Sequence, residues 1–446
     1  MDLALDLAGP GPLHQRIAAA LRDAIARGRL RPGERLPATR TLAADLGCSR
    51  WAVSMAYEQL VGEGWAEAVV GSGTRVVFGG SARPPDRPSS TVRYDLRPGY
   101  PGLSDFPRAT WATAVRDAVR AAPATALGQP DPRGATELRE TLSAYLGRVK
   151  GVRADPDAIL VCAGVTHGIS LMSGMLAADG ASVVAVEDPG WPRIAEAVAA
   201  AGLDTVAVPV DEAGVRTNEL PATASAAIVG PAHQFPTGVA LAAARRDALV
   251  EWANGGRWIL EDAYNSEHRY DGRPQLAIQG DAPDRVIHLG SVSKTLSPAV
   301  RVGWLVAPPA MVDRLADAMR VTGTAPSVVE QLALARLIDS GGYDRHLVRI
   351  RRVYRRRRDA LVAALAAQLP KAQVCGAAGG LHLLVTFPAD LDEDSLVRAA
   401  AAAGLLVSGL GRYYRGPQPW PGIVVGYANL GESAFPDAVR ILAAAR

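Results

Sequence analysis

At 446 residues, 48 % hydrophobic and 21 % charged, the chain is long enough for two or three domains with a sizeable core. Its formal charge of +3 gives no argument for nucleic acid by itself, and no run approaches the ~18 apolar residues of a membrane span. The acidic start, Met1-Asp-Leu-Ala-Leu-Asp6, is unlike a signal peptide, and Cys48, Cys162 and Cys375 are too far apart for a disulfide framework or a zinc site, so the expectation is a soluble cytoplasmic protein without a metal.

The first eighty residues carry helical periodicity. Leu13 to Arg27 places Leu13, Ile17, Ala20, Leu21 and Ala24 on one face, and Thr39 to Leu46 makes a second helix. Gly47-Cys-Ser49 is a tight turn, and Arg50 to Glu63 a third helix with Val53, Ala56, Tyr57, Leu60 and Val61 as its apolar stripe. Helix, short glycine turn, helix is the helix-turn-helix arrangement. Trp65 to Phe78 alternates around Gly71-Ser-Gly73, as a two-stranded wing does. Residues 1–78 therefore read as a winged helix-turn-helix. Gly79 to Ser90 is crowded with Pro, Gly and Ser, which marks 79–92 as a linker.

From 93 to 446 apolar strand-like runs alternate with Ala-rich helical stretches, which predicts an α/β domain. The candidate strands are 158–162, 182–186, 205–208, 227–229, 258–260, 286–289 and 302–306, most of them short and apolar on both faces, as in a parallel sheet. From about Pro326 a long Arg-rich helix and the runs 381–385 and 423–425 suggest a smaller C-terminal α+β subdomain. The run Arg349 to Arg358 reads as a solvated helix face, with phosphate contact as the alternative.

The chemistry is concentrated at one lysine. The 48 Lys and Arg residues include only three lysines, Lys150, Lys294 and Lys371, and Lys294 sits in Ser291-Val-Ser-Lys294-Thr-Leu-Ser-Pro-Ala-Val-Arg301. Arginine replaces a lysine that carries charge but not one that must lose its proton and condense with an aldehyde. Upstream, Trp258-Ile-Leu-Glu-Asp262-Ala-Tyr264 is an apolar strand ending in an acid and a phenol, the partners a pyridine nitrogen and a ring oxygen require. Together they read as a pyridoxal phosphate pocket. Lys294 would hold the aldehyde as an imine, Asp262 would keep the ring nitrogen protonated and Tyr264 would meet the ring oxygen. Ser291, Ser293, Arg301 and the Gly164-Val165-Thr166 turn before a helix near Ile169 would take the phosphate through hydroxyls, a guanidinium and helix-start amides.

Two resemblances extend this reading. Gly28-Arg-Leu-Arg-Pro-Gly33, Leu36-Pro-Ala-Thr-Arg40, Leu46-Gly-Cys-Ser-Arg50, Gly64-Trp65 and Gly71-Ser-Gly-Thr74 resemble, in order and spacing, the DNA-binding domain of the GntR family. The resemblance implies that Arg40, Ser49 and Arg50 face an operator. Arginine at the start of a recognition helix can fork onto guanine, which agrees. Ser72, Thr74 and Arg75 on the wing would reach phosphate or minor groove, with a solvated face as the alternative for Arg75.

Residues 93–446 resemble the fold-type I aminotransferases through Asp95-Leu-Arg-Pro-Gly99, Asp131-Pro-Arg-Gly134, Glu187-Asp-Pro-Gly-Trp191, Pro231-Ala-His-Gln-Phe-Pro-Thr-Gly238 and the run from Glu261 to Tyr270. The whole chain is similar to the MocR subgroup, in which such a domain follows a GntR head. That resemblance implies a homodimer, and it implies that Trp191 stacks on the cofactor ring; Trp191 as ordinary core is the alternative.

Three departures speak to activity. Phe235 stands where aminotransferases carry Asn, the strand Gly422 to Tyr427 lacks their substrate-carboxylate arginine, and Leu127-Gly-Gln-Pro130 lacks a tyrosine. Arg193, Arg412 and Arg415 are candidate replacement anchors; His167, His233 and His382 have no metal-ligand spacing. The expectation is a transcription regulator without a catalytic residue set, whose effector is pyridoxal phosphate itself or an amine or amino acid that displaces Lys294. The rivals are a working aminotransferase that carries a DNA-binding head and a dimerisation scaffold.

Overall fold

The computed structural model describes residues 5–7, 11–69, 73–77, 92–270, 275–376 and 378–446. The chain divides at Ser90 and Thr91 into two compact units. The Gly79–Ser90 segment, Phe78 and Ser72 lie outside the described residues.

In the first unit α1 (Leu13–Ala26), α2 (Thr39–Asp45) and α3 (Arg50–Gly62) precede a hairpin of β1 (Ala66–Val69) and β2 (Gly73–Val76). Gly47 lies at φ +62 in the turn between α2 and α3, where a Cβ is penalised. Ile17, Leu21, Leu42, Val53, Tyr57 and Leu60 form the core, and the Tyr57 hydroxyl donates to the Pro37 carbonyl at 2.8 Å. The α3 stripe differs from expectation by one residue: Val61 is exposed and Ala52 is buried in its stead. At about 100° per residue Ala52, Val53, Ala56, Tyr57 and Leu60 fall within one arc of about 140°, and Val61 lies about 40° beyond its edge.

The second unit opens with β3 (Tyr94–Asp95), α4 (Arg108–Ala121) and α5 (Thr136–Lys150). Its main sheet is built from β4 (Ile159–Cys162), β5 (Val183–Asp188), β6 (Asp204–Asp211), β7 (Gly214–Val215), β8 (Ala226–Val229), β9 (Trp258–Asp262), β10 (Val286–Ser291) and β11 (Gly303–Val306). Helices α6 (Val165–Ala178), α7 (Pro192–Ala200) and α8 (Ala243–Asn254) lie between these strands in the chain. The strand order is β4-β11-β10-β9-β8-β5-β6-β7. Strands β6, β5, β8, β9 and β10 run parallel, while β11 runs antiparallel to both β10 and β4. All seven candidate strands are present, but 302–306 is not a parallel one. No α-helix separates it from β10, and a parallel return needs a crossover of a dozen or more residues. The short connection instead holds Lys294 against the sheet end.

After α9 (Pro309–Thr322), α10 (Val328–Asp339) and α11 (Gly342–Gln368) come β12 (Gln373–Cys375), β13 (His382–Thr386), α12 (Glu393–Ala402), β14 (Leu405–Leu406), β15 (Ser408–Gly409), β16 (Gly422–Gly426) and α13 (Phe435–Ala444). Strands β12, β13, β16 and β15 form an antiparallel sheet. The small subdomain also takes in residues far upstream of Pro326, because β3 pairs with β14 and α4 packs on α10. The Arg-rich stretch of α11 is only partly a solvated face. Arg357 pairs with Asp105 at 2.6 Å, Arg351 donates to the Glu267 carbonyl and Arg349 to that of Asp105.

Candidate functional site

The strands that end at Asp262 and Ser291 are neighbours, with Asp262 in register with Leu289, so their C-terminal ends open on one pocket of about 520 Å³. Such a volume suits a small-molecule site, and the ends of parallel strands are where α/β sheets place one. Lys294, Asp262, Tyr264, Trp191, Val165, Thr166, Ser291, Ser293 and Arg301 all line it, together with Gly99, Phe235, Asn265, Tyr413 and Tyr414.

Lys294 Nζ donates to the Gly99 carbonyl at 2.5 Å. Burial pulls its pKa from the ordinary 10.5 to about 8, against the opposing charge of Asp262. The amine is therefore partly neutral near pH 7, as a nucleophile requires. Burial pushes Asp262 up to about 6, although the Tyr264 N–H at 3.0 Å and the Lys294 charge favour its carboxylate. Glu187, which accepts from the Gly230 N–H at 3.2 Å, is pushed up to about 8 by burial.

The Tyr264 hydroxyl is buried without a hydrogen-bond partner, a condition that costs ~1–3 kcal/mol unless a ligand meets it. Trp191 caps the start of α7, its ring edge-on to Phe235 at 5.0 Å and stacked with Tyr413 at 6.2 Å. Helix α6 begins at Val165 behind Gly164, which supplies no side-chain cap, and Gly164, Val165 and Thr166 at this helix start line the pocket. Arg301 has φ +55, the only positive value at a non-glycine among the described residues, and strain of this kind concentrates at ligand sites.

Gly303 lets the loop before α6 approach the sheet: a Cβ there would lie 2.7 Å from Gly164 Cα. Gly303→Ala is expected to cost about 1–3 kcal/mol by overpacking. The readout is the denaturant midpoint, and an unchanged midpoint would show that the α6 loop gives way freely.

The pocket-lining histidines are engaged within the protein. His167 accepts from the Ala163 N–H at 3.0 Å, and His382 packs against Phe235 and His233. Among the described residues no group of His, Cys, Asp or Glu is placed to hold a metal. Of the three arginines considered as anchors, Arg412 and Arg415 line the pocket and Arg193 does not. Sequence reasoning missed Gly99, Glu187, Asn265, Tyr413 and Tyr414; Gly99, Glu187 and Asn265 lay inside quoted motifs, but nothing local marks the two tyrosines.

In the first unit Arg40 on α2 and Arg50 at the start of α3 are both exposed, and Arg50 Nε donates to Thr39 Oγ1 at 3.3 Å. Ser49 uses its hydroxyl as the α3 cap, accepting from the Ala52 N–H at 3.3 Å. Thr74 and Arg75 lie on β2, where Arg75 donates to the Gly33 carbonyl at 2.9 Å. Beside Arg50, Trp51 is 65 % exposed, which sequence reasoning did not single out.

Residues 13–76 match the bacterial regulatory proteins of the gntR family and residues 100–414 match the aminotransferases of class I and II. The chain is 34 % identical over 444 residues to the HTH-type pyridoxine biosynthesis transcriptional regulator PdxR of Corynebacterium glutamicum, covering 98 % of this chain and 96 % of the relative. It is 31 % identical over 472 residues to the probable rhizopine catabolism regulatory protein MocR of Rhizobium meliloti, covering 99 % and 95 %. The chain belongs to the MocR-type regulators of the GntR family.

The large unit of this MocR-type regulator shares its fold with solved aminotransferases. An archaeal alanine:glyoxylate aminotransferase superposes with a TM-score of 0.72 at 24 % identity, over 79 % of this chain and 90 % of that one. Pyrococcus horikoshii kynurenine aminotransferase gives 0.72 at 25 %, over 80 % and 91 %. Within that fold, Phe235 is buried against Trp191, Tyr264 and Tyr413, and β16 is buried throughout without a cation. No helix among the described residues is long and apolar enough to cross a membrane.

Proposed function

We propose that this regulator binds operator DNA as a homodimer through its winged helix and binds pyridoxal phosphate in the large unit, with the cofactor itself as the effector. The observation that carries the reading is the placement of a lysine of lowered pKa, a buried acid and an unpartnered buried phenol around one pocket. Bound there, the cofactor supplies an aldehyde that an amine can trap and an electron-withdrawing ring. Lys294 would hold the aldehyde, Asp262 the ring nitrogen, Tyr264 the ring oxygen and Trp191 the ring face. Ser291, Ser293, Arg301 and the first amides of α6, at Val165 and Thr166, would hold the phosphate. Arg40, Ser49, Arg50 and Thr74 would face the operator; Arg75, tied back to Gly33, would contribute less.

The arginine-free β16 favours the cofactor as effector over an amino acid, since a carboxylate entering there finds no bidentate partner. The PdxR relative's name, a regulator of pyridoxine biosynthesis, supports a role in vitamin B6 supply. The test is operator affinity at fixed salt with and without pyridoxal phosphate, because protein–DNA affinity is uninterpretable when salt varies. Identical affinities in the two conditions would rule out the cofactor as effector.

Capture should follow the pKa of Lys294. With the amine held at about 8, the neutral fraction grows as pH rises through 7 and 8 and then levels off, whereas an ordinary lysine would keep gaining to 10.5. Stopped-flow absorbance should show the capture rate climbing to a plateau above pH 8; a rate still rising at pH 10 would contradict the buried amine.

An active aminotransferase remains the rival. Phe235 presents a hydrocarbon edge where a ring oxygen needs a donor, so turnover with common amino donors and keto acids should be absent in the wild type. Sustained turnover there would favour the rival.

A further inference from the structure

The amine of Lys294 is paired with a main-chain carbonyl, and the segment that supplies it is held by little else. Upstream, the Arg93 and Tyr94 N–H groups donate to the Gly404 carbonyl at 2.8 and 3.0 Å, Leu96 donates to Leu406 at 2.8 Å, and Leu96 accepts from Gly426 at 2.6 Å. Downstream, the Gly102 N–H donates to the buried Tyr354 hydroxyl at 2.9 Å and Leu103 to Asn429 Oδ1 at 3.2 Å. Between these anchors the Arg97 N–H turns back on Asp95 Oδ1. Pro98 and Pro101 seat themselves by burial and have no N–H to donate. Among the described residues, the bond from Lys294 to Gly99 is thus the one hydrogen bond that ties the main chain from Arg97 to Pro101 to the body of the domain. Gly99 adopts φ +101, and a Cβ there would lie 3.7 Å from Trp191 Cη2 and 3.8 Å from Lys294 Nζ. The turn thus faces both the amine and the indole, with room at ordinary contact distance.

We propose that the Gly99 carbonyl positions the Lys294 amine, and that the strap from Arg97 to Pro101 is the element that reports when an aldehyde ligand takes that amine. This rests on the reading of Lys294 as the capturing lysine. When the neutral amine condenses with an aldehyde, a carbon–nitrogen double bond forms and the carbonyl oxygen leaves as water with both N–H hydrogens. Any single proton that returns to the nitrogen is directed to the ligand's own ortho oxygen. Gly99 then loses its donor. The strap lies within the first twelve residues of the second unit, which begins at Thr91, just after the anchored stretch 93–96.

Hydrogen exchange on the full-length protein tests this, read at the Gly102 and Leu103 amides in peptic peptides spanning Arg97 to Leu103. Four states are compared: the cofactor-free wild type, the wild type with pyridoxal phosphate, the wild type with pyridoxine 5′-phosphate, which carries an alcohol in place of the aldehyde, and cofactor-free Lys294→Ala. Exchange should be about fivefold faster with the aldehyde than without it, the factor one net hydrogen bond carries, and unchanged with the alcohol. Lys294→Ala should exchange at the fast rate with no ligand. If the visible absorbance of captured cofactor develops and exchange stays slow, the strap does not report capture, though the cofactor reading stands. Slow exchange in cofactor-free Lys294→Ala would show that Gly99 is held by packing alone. If no absorbance develops, the cofactor reading fails and takes this proposal with it.

Discussion

Lys294→Ala is expected to keep the fold and to lose entirely the visible absorbance that incubation with pyridoxal phosphate gives the wild-type protein. Neither of the other lysines can take over. Lys150 is buried in a pair with Glu267 at 3.2 Å and donates to Ser266 Oγ at 2.8 Å, and Lys371 is exposed and does not line the pocket. Lys294→Arg should fail as completely, because a guanidinium stays protonated at any pH the fold survives and cannot condense with an aldehyde. Circular dichroism gives the fold control, since removing the amine strands the Gly99 carbonyl and takes an opposing charge from Asp262. A band that persists in Lys294→Ala would place the chemistry on another amine and dissolve the proposed sensor.

Arg50→Ala should weaken operator binding by about 1–3 kcal/mol, roughly 5- to 150-fold, if its guanidinium forks onto a base. The loss should come with relaxed preference at one operator position. A phosphate contact would behave differently, weakening all sequences alike and lowering the salt slope by about one. Arg40→Ala should lose affinity on a similar scale. Arg75→Ala serves as the internal comparison, because that side chain already spends a donor on the Gly33 carbonyl and should matter less. Fluorescence anisotropy on an operator selected from random sequence by the wild-type protein, at one ionic strength, measures all three. Unchanged affinity in both Arg40→Ala and Arg50→Ala would mean that these arginines are a solvated face and that DNA is met elsewhere on the unit.

Much of the fold was legible because it follows local rules. The α3 stripe needs only a 3.6-residue period, and the strand runs at 227–229 and 258–260 need only continuous apolar character between turn signals. The pocket residues that are neighbours in sequence were legible too: Asp262 and Tyr264 share a strand end, and Ser291, Ser293 and Lys294 share a turn. Lys294 stood out for a chemical reason rather than a periodic one, since the chain has only three lysines and arginine cannot condense with an aldehyde.

What the sequence determined by itself is therefore the inventory: a helix-turn-helix, an α/β body, and the amine, acid and phenol that suit one cofactor. The tertiary structure decided which distant segments meet them. The direction of β11, the pairing of Tyr94 with Leu405, the recruitment of Tyr413 beside Trp191 and the Gly99 carbonyl on the Lys294 amine join residues that local patterning treats as unrelated. The physical reason is that such contacts are chosen by how whole layers bury their apolar faces together, a global packing solution that leaves no trace in the period or composition of the few residues that finally touch.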